Sequence, residues 1–324
     1  MEAAEPKTLQ EAMQYFSDPD VCLKYVMARR WPNGAVCPTC GSTDVRFIAT
    51  RRMWECKAKH ARKQFSIKIG TIFEDSPIGL DKWLCGMWLI VSCKNGISSY
   101  EVSRDLGISQ KSAWHMMHRI RLALRSGSLE KFSGEVEADE TFIGGKARNM
   151  HKDKKWAKMR DFSGTVGKVA VMGLLDRGSK RVRTTVIGGR KRKHLAPEVY
   201  KNVEPGSTVY TDAFNSYGKL SEDFIHQFVD HAKNYVDGKV HTNGLENFWS
   251  LLKRGLKGTY VSVEPFHLFR YLDEQVYRFN YRKDLDGNPL TDSDRFDLAV
   301  RQIVGKRLTW AEVTGKVEDS AVVN

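Results

Sequence analysis

Apolar positions recur along this chain with two different rhythms. In residues 7–30, Leu9, Met13 and Phe16 share one helical face and residues 21–27 supply another, which predicts one or two short helices ahead of the turn Trp31-Pro32-Asn33-Gly34. Short strand-like runs follow at 45–48, 53–56 and 64–67. Residues 80–94 read as a markedly apolar helix. Ser98 or Ser99 then caps a short helix that Gly107 ends, Ile108 packs in the turn, and Ser109 caps a second helix reaching about Leu124. That is the layout of a helix-turn-helix.

From residue 134 the period shortens to that of strands. Strands are expected at 135–139, 168–176 and 181–187, then a helix near 195–202, then strands at 209–212 and 225–229. A basic, glycine-containing stretch at 144–167 reads as an exposed loop or arm. The run 241–260 is two-faced at helical period. Leu245, Phe248, Trp249, Leu252 and Leu256 form one stripe; Asn243, Glu246, Asn247, Ser250, Lys253, Arg254 and Lys257 form the other. Thr242 or Asn243 can cap its start, and Gly255 or Gly258 can end it. An aromatic-rich amphipathic helix at 265–282 is expected to pack on this domain, two short helices fall within 293–316, and a tail closes the chain. Three strands, a helix, two strands and a helix is the order of a ribonuclease H-like domain. The fold class expected is therefore α/β, a ribonuclease H-like domain preceded by a zinc ribbon and a helix-turn-helix. The boundaries read as 1–75, 76–130, 131–285 and 286–324.

Charge sharpens this picture. The 324 residues carry a formal net charge of +13, which points to a polyanionic partner, most often nucleic acid. No apolar run is long enough to span a membrane, and the N-terminus lacks the layout of a secretory signal. Six cysteines in so long a chain are no disulfide scaffold, so a reducing, cytoplasmic location is expected. Cys22, Cys85 and Cys93 sit in apolar contexts as free thiols. Cys37, Cys40, Cys56 and His60 have metal-ligand spacing on hairpin turns, which predicts a structural Zn²⁺. Cys56-x-x-x-His60 is a looser pair than a second Cys-x-x-Cys.

The acids follow a pattern of their own. Asp139 lies on the first strand of the domain, Asp212 at the end of the fourth, and Glu246 on the helix after the fifth. Carboxylates so placed can hold divalent oxygen-seeking ions such as Mg²⁺ or Mn²⁺. Lys253, two helical turns beyond Glu246, can hold a phosphate nearby. Glu137 shares the strand face of Asp139 and competes for its role, whereas Glu140 faces the opposite side. Asp212 can instead be a helix cap, and Asn243 or Asn247 can stand in for Glu246. Contacts to double-stranded DNA are expected from Lys111, Ser112 and Arg119 on the second helix of the helix-turn-helix. They are expected as well from the cluster Arg190, Lys191, Arg192 and Lys193, from Lys253 and Arg254, and from the arm 146–160.

The motifs together resemble a known group. Cys37-Pro38-Thr39-Cys40-Gly41, then Gln64-Phe65-Ser66 and Gly70-Thr71-Ile72-Phe73, is similar to the zinc ribbon of bacterial insertion-sequence transposases of family 1595, the ISXO-like group. Glu137-Ala138-Asp139-Glu140-Thr141-Phe142-Ile143-Gly144-Gly145-Lys146 and Tyr210-Thr211-Asp212 resemble that group's first two acidic motifs. His241-x-Asn243-x-x-Glu246-x-x-Trp249-Ser250-x-x-Lys253-Arg254 resembles its third, at which members carry Glu or Asn. The resemblance spans roughly residues 20–285. It implies a metal-dependent DDE transposase that nicks at the ends of a mobile element and joins the freed 3′-hydroxyl to target DNA. Terminal inverted repeats and target DNA would be its partners, it would act as a dimer on DNA, and the nucleoid would be its place of work. A DNA-binding regulator without catalysis and a structure-selective nuclease are the alternatives.

Overall fold

The computed structural model describes residues 4–125, 127, 130–145, 167–212, 217, 220, 223–229 and 241–316. The expected arm 146–160 and the chain's last residues, 317–324, lie outside them. The chain divides into two compact units, Met1–Ser126 with Asn288–Asn324, and Gly127–Gly287.

The first unit opens with α1 (Leu9–Tyr15) and α2 (Pro19–Arg30), capped by the side chains of Thr8 and Asp18. A three-stranded antiparallel sheet follows, β1 (Val45–Ile48), β2 (Met53–Cys56) and β3 (Gln64–Ser66), in that order. Then come α3 (Leu80–Ser92), α4 (Ser99–Leu106) and α5 (Gln110–Leu124). Ser98 and Glu101 form a reciprocal capping box, Gly107 turns the chain out of α4 in the left-handed region, and Ser109 caps α5. The sequence signals for a helix pair are thus all used.

The second unit holds a mixed sheet of β4 (Glu135–Ile143), β5 (Val169–Asp176), β6 (Arg181–Ile187), β7 (Thr208–Asp212) and β8 (Ile225–Val229), in the order β6-β5-β4-β7-β8. β4 pairs antiparallel with β5 and parallel with β7. Helices α6 (Arg192–Asn202), α7 (Asn243–Gly258) and α8 (Leu268–Asn280) cover it. This mixed α/β order is consistent with a ribonuclease H-like fold. Alternation along the central strands creates two cores. Val136, Ala138, Met172 and Leu174 face one side with Leu195 and Val199 of α6. Val171 and Leu175 face the other with Leu245, Phe248, Trp249 and Leu252 of α7 and Leu272 and Val276 of α8. Burying such a set is the main drive for assembling these layers.

The chain then returns to the first unit through α9 (Asp292–Arg301) and α10 (Trp310–Val313). Phe296 of α9 sits among Phe16, Tyr25 and Trp88, so the last helices complete the core of the first. Cys22 and Cys85 are buried free thiols as expected, while Cys93 is only half-buried. Among the described residues no helix is long and apolar enough to cross a membrane.

Three local expectations need correction. β4 runs on to Ile143, because Glu140–Ile143 keep pairing with Met172–Val169 of β5. Gly255 does not end α7; it is buried inside the helix, which continues to Gly258. Thr242 occupies the N-cap position of α7 without a side-chain cap. The missing cap comes from another strand, as follows.

Candidate active site

Strand alternation places Glu137 and Asp139 on the α7 face of the sheet and Glu140 on the other. Asp139 Oδ1 accepts the backbone N–H of Glu140 at 2.8 Å, and Oδ2 accepts the indole N–H of Trp249 at 3.0 Å. The tryptophan can reach because Gly173 lies directly across from Asp139 on β5. A Cβ at Gly173 would stand 2.6 Å from the Trp249 ring and 2.9 Å from Leu245, so only glycine lets α7 lie this close to the sheet.

Glu137 has a different job from the metal ligand it competed to be. It is 2% exposed, and its Oε2 accepts the backbone N–H of Leu245 at 3.0 Å, in the first turn of α7. A carboxylate from β4 therefore does the work of the N-cap and meets the positive end of the helix dipole. Its Oε1 pairs with Arg177 at 2.9 Å, and Arg177 in turn donates to the carbonyl of His241 and meets His241 Nδ1 at 3.0 Å. Gly244 is needed here as well, since a Cβ would come 2.8 Å from Glu137 Oε2. Glu137, Arg177 and His241 thus fix where α7 begins, and with it where Glu246 projects.

The parallel pairing of β4 with β7 runs to Glu137↔Tyr210, two residues short of both Asp139 and Asp212. Both acids accordingly stand at one level of the sheet. Asp139 is pushed up to about 6 by burial and by the charges of Asp212 and, more weakly, Glu246, against the hydrogen bonds from Trp249 and Glu140. Glu140 is pushed up to about 8 by burial and by Asp139 and Asp212, against the pull of Arg190, and accepts the Tyr217 hydroxyl on the opposite face. Asp212 Oδ1 is buried and has no hydrogen-bond partner among the described residues. A buried carboxylate oxygen without a donor, beside a second carboxylate held largely desolvated, suits a divalent cation. Glu246 is exposed on α7. The oxygens of the three acids do not converge as tightly as the four zinc-ribbon ligands, which form the one cluster within 4.8 Å among the described residues. Lys253 and Arg254 lie on the same helix, half-buried and exposed, and form no ion pair with a carboxylate among the described residues. Asn243 and Asn247 are also exposed on α7.

In the first unit Cys37 Sγ lies 3.5 Å from His60 Nε2, and Cys40 Sγ lies 3.6 Å from Cys56 Sγ. A tetrahedral Zn²⁺ at the usual Zn–S length of about 2.3 Å sets ligand–ligand edges of roughly 3.8 Å, so these fit. His60 joins the three thiols despite its looser spacing in sequence. Burial raises the Cys37 thiol, yet the N–H groups of Cys40 and Thr39 and the neighbouring sulfurs bring it down to about 6, favouring the ligating thiolate.

The family-level comparisons agree with these two centres. The model of the ISXO2-like transposase domain matches residues 131–280, and that of the transposase zinc-ribbon domain matches residues 17–62. An uncharacterized transposase-like protein of Haemophilus influenzae is 34% identical over 101 residues, covering 31% of this chain and 81% of the relative. The chain belongs to the ISXO2-like transposases. An uncharacterized protein in transposable element ISH50 of Halobacterium salinarum is 28% identical over 265 residues, 78% of this transposase-family chain and 88% of the relative. Among solved structures, a chain of the simian T-cell lymphotropic virus intasome in complex with PP2A regulatory subunit B56 gamma shares 9% identity over 59% of this chain and 67% of its own. The TM-score is 0.28. Family membership supports a transposase role, and with the Cys₃His cluster it points to a structural zinc.

The expected DNA-contact residues separate in this transposase. Arg190, Lys191, Arg192 and Lys193 are all exposed at the start of α6, with Arg190 over the Phe142 ring and near enough to lower Glu140. On α5, Lys111 is exposed and stacks on Trp310, and Ser112 is half-buried beside Ser109. Arg119 must be withdrawn as a DNA contact. It is 5% exposed, donates to the carbonyl of Glu74 and lies over Trp83. His118 and Arg121 are buried with it. A helical period of 3.6 explains this: Lys111 and Arg119 are eight apart, about 80° out of phase, enough to carry Arg119 onto the packed face.

Sequence reasoning missed Trp249 as a hydrogen-bond donor and Arg177 altogether. The glycine inside the apolar run 168–176 was the available sign of a close approach.

Proposed function

We propose that the chain is a DDE transposase that binds the ends of its element and catalyses metal-dependent DNA cleavage and strand transfer. The observation that supports this reading is electrostatic: the charges of Asp212, on the parallel neighbour of β4, and more weakly of Glu246, on α7, reach Asp139, and one buried oxygen of Asp212 has no donor among the described residues. Asp139, Asp212 and Glu246 would hold Mg²⁺ or Mn²⁺. Bound there, a pair of such ions would supply activation of a hydroxyl nucleophile and stabilisation of the leaving oxygen. The protein's own part is positioning. Trp249 and the Glu140 amide fix the Asp139 carboxylate. Glu137 and Arg177 fix the start of α7 and so the reach of Glu246. Lys253 holds a phosphate beside the acids, Arg254 and the cluster 190–193 hold the flanking backbone, and Lys111 and Ser112 lead α5 toward DNA. Zn²⁺ on Cys37, Cys40, Cys56 and His60 staples a ribbon too small to hold itself.

The test incubates the full-length protein with its element's ends and Mg²⁺ and follows nicked and strand-joined products. Native protein should give both, and Asp139→Ala should give neither while still binding DNA. Nicking without joining would reduce the assignment to a nuclease; DNA binding with no nicking by the native protein would make it a regulator.

A further inference from the structure

A pocket of about 940 Å³ opens in the second unit between the start of β4, the β5–β6 turn, the start of α7 and the end of α8. Its inner wall is Glu137, Arg177 and His241, and Asn247 of α7 borders it. Glu137 precedes Asp139 by two strand residues, so this wall stands about 7 Å along β4 from Asp139. Asn247 is the residue next to Glu246. The pocket therefore lies on the same strand and helix as two of the acids, though none of the three lines it.

Its charge is one-sided. Arg177, Lys180, Arg282 and Lys283 line it against Glu135 and Glu137. Glu137 is already taken by Arg177 and the Leu245 amide, and Glu135 accepts the Tyr210 hydroxyl at 3.0 Å. Lys180, Arg282 and Lys283 are exposed and form no ion pair among the described residues. Two of them are nonetheless held in place. Arg282 stacks on Phe279 at 3.8 Å and donates to its carbonyl. Lys180 has a φ of +57°, a left-handed conformation that a glycine would adopt without strain. Asp176 builds the turn that holds it, accepting from the Gly178 amide at 2.9 Å and the Ser179 hydroxyl at 2.7 Å.

We propose that this pocket is a further DNA subsite. It receives the strand segment adjoining the phosphodiester held at Asp139, Asp212 and Glu246, and Lys180, Arg282 and Lys283 contact its phosphates. The inference rests on the transposase reading for the position of that phosphodiester, but its test does not depend on catalysis.

The experiment measures binding of full-length protein to duplexes of the element's end by fluorescence anisotropy over a salt series, with Ca²⁺ in place of Mg²⁺. Lys180, Arg282 and Lys283 are replaced together by Ala. A control replaces Lys131, Lys168 and Lys201, which are exposed in the same unit and remove the same charge. The pocket variant should bind about tenfold or more weakly at about 100 mM salt. Its slope of log affinity against log salt should shrink by about 0.9 for each lost phosphate contact, beyond any change in the control. Trimming the DNA past the cleavage position should remove the difference between native protein and pocket variant. Equal slopes for pocket variant and control would overturn the proposal, as would a mononucleotide that binds the native protein, and not the variant, with DNA affinity unchanged. Failure of the native protein to nick DNA in Mg²⁺ would sink the catalytic reading and leave this binding comparison intact.

Discussion

Asp139 and Glu140 are neighbours in sequence on opposite faces of one strand, yet burial and the charge of Asp212 raise both carboxyls, to about 6 and about 8. A carboxyl whose folded pKa exceeds its ordinary value binds its proton more tightly folded than unfolded, so stability falls as pH rises from near 4 through about 8. In EDTA the second unit should therefore melt at progressively lower temperature between pH 5 and about pH 8.5. Glu140→Gln should flatten this decline, because the amide oxygen still accepts the Tyr217 hydroxyl while the titrating charge is gone. Mg²⁺ should oppose the decline. Calorimetry over this range checks the prediction, and a pH-independent melting temperature without metal would contradict it. Trp249 admits a sharper cut. Trp249→Phe keeps the ring in the α7 core and deletes the donor to Asp139. The loss should be about 1 kcal/mol of stability and roughly ten- to a hundredfold in metal affinity or activity, the range found when a ligand's supporting partner is removed. An unchanged Mg²⁺ requirement would deny the tryptophan its role.

At the scale of elements, α7 is docked by polar groups at its start and apolar ones along its length. The apolar stripe was legible because Leu245, Phe248, Trp249, Leu252 and Leu256 repeat at helical period, and all are buried. The α4–α5 pair was equally legible, since its caps are local: Ser98, Glu101, Gly107 and Ser109 act within a few residues of themselves. The cap of α7 was not legible. Glu137 lies 108 residues from Leu245, and Arg177 lies 64 from His241; no local rule links residues so far apart. Arg119 was misread for a related reason. Sequence shows that a residue is basic, and only tertiary packing shows that its stem is wanted inside. The Glu137–Arg177 pair is buried, so breaking one side is costlier than replacing both. Glu137→Gln should cost about 3 kcal/mol, whereas Glu137→Gln with Arg177→Met should recover part of that, and a double-mutant cycle by urea unfolding measures the coupling. Additive losses would mean that the pair does not act as a unit.

At the scale of the whole molecule, the zinc ribbon and the second unit are stabilised by different means. The second has two cores packed on a five-stranded sheet. The ribbon of the first has strands of only four, four and three residues, with Trp54 and Phe65 stacked at 6.0 Å and Trp31 edge-on to both. So little buried surface cannot offset the entropy of ordering the hairpins, and the ligand set must supply the difference. Stripping zinc with a strong chelator should therefore abolish the near-ultraviolet signal of the Trp31–Trp54–Phe65 cluster and leave the transition of the second unit in place. Cys37→Ser should do the same without chelator. Zinc uptake should weaken as pH falls, when protons compete with the metal for the thiolates and His60. The DNA binding proposed for the full-length protein can then be measured with and without zinc. Metal analysis checks the starting point: about one zinc per chain is expected, and a purified, folded protein with none would remove the ribbon's metal and this dependence together.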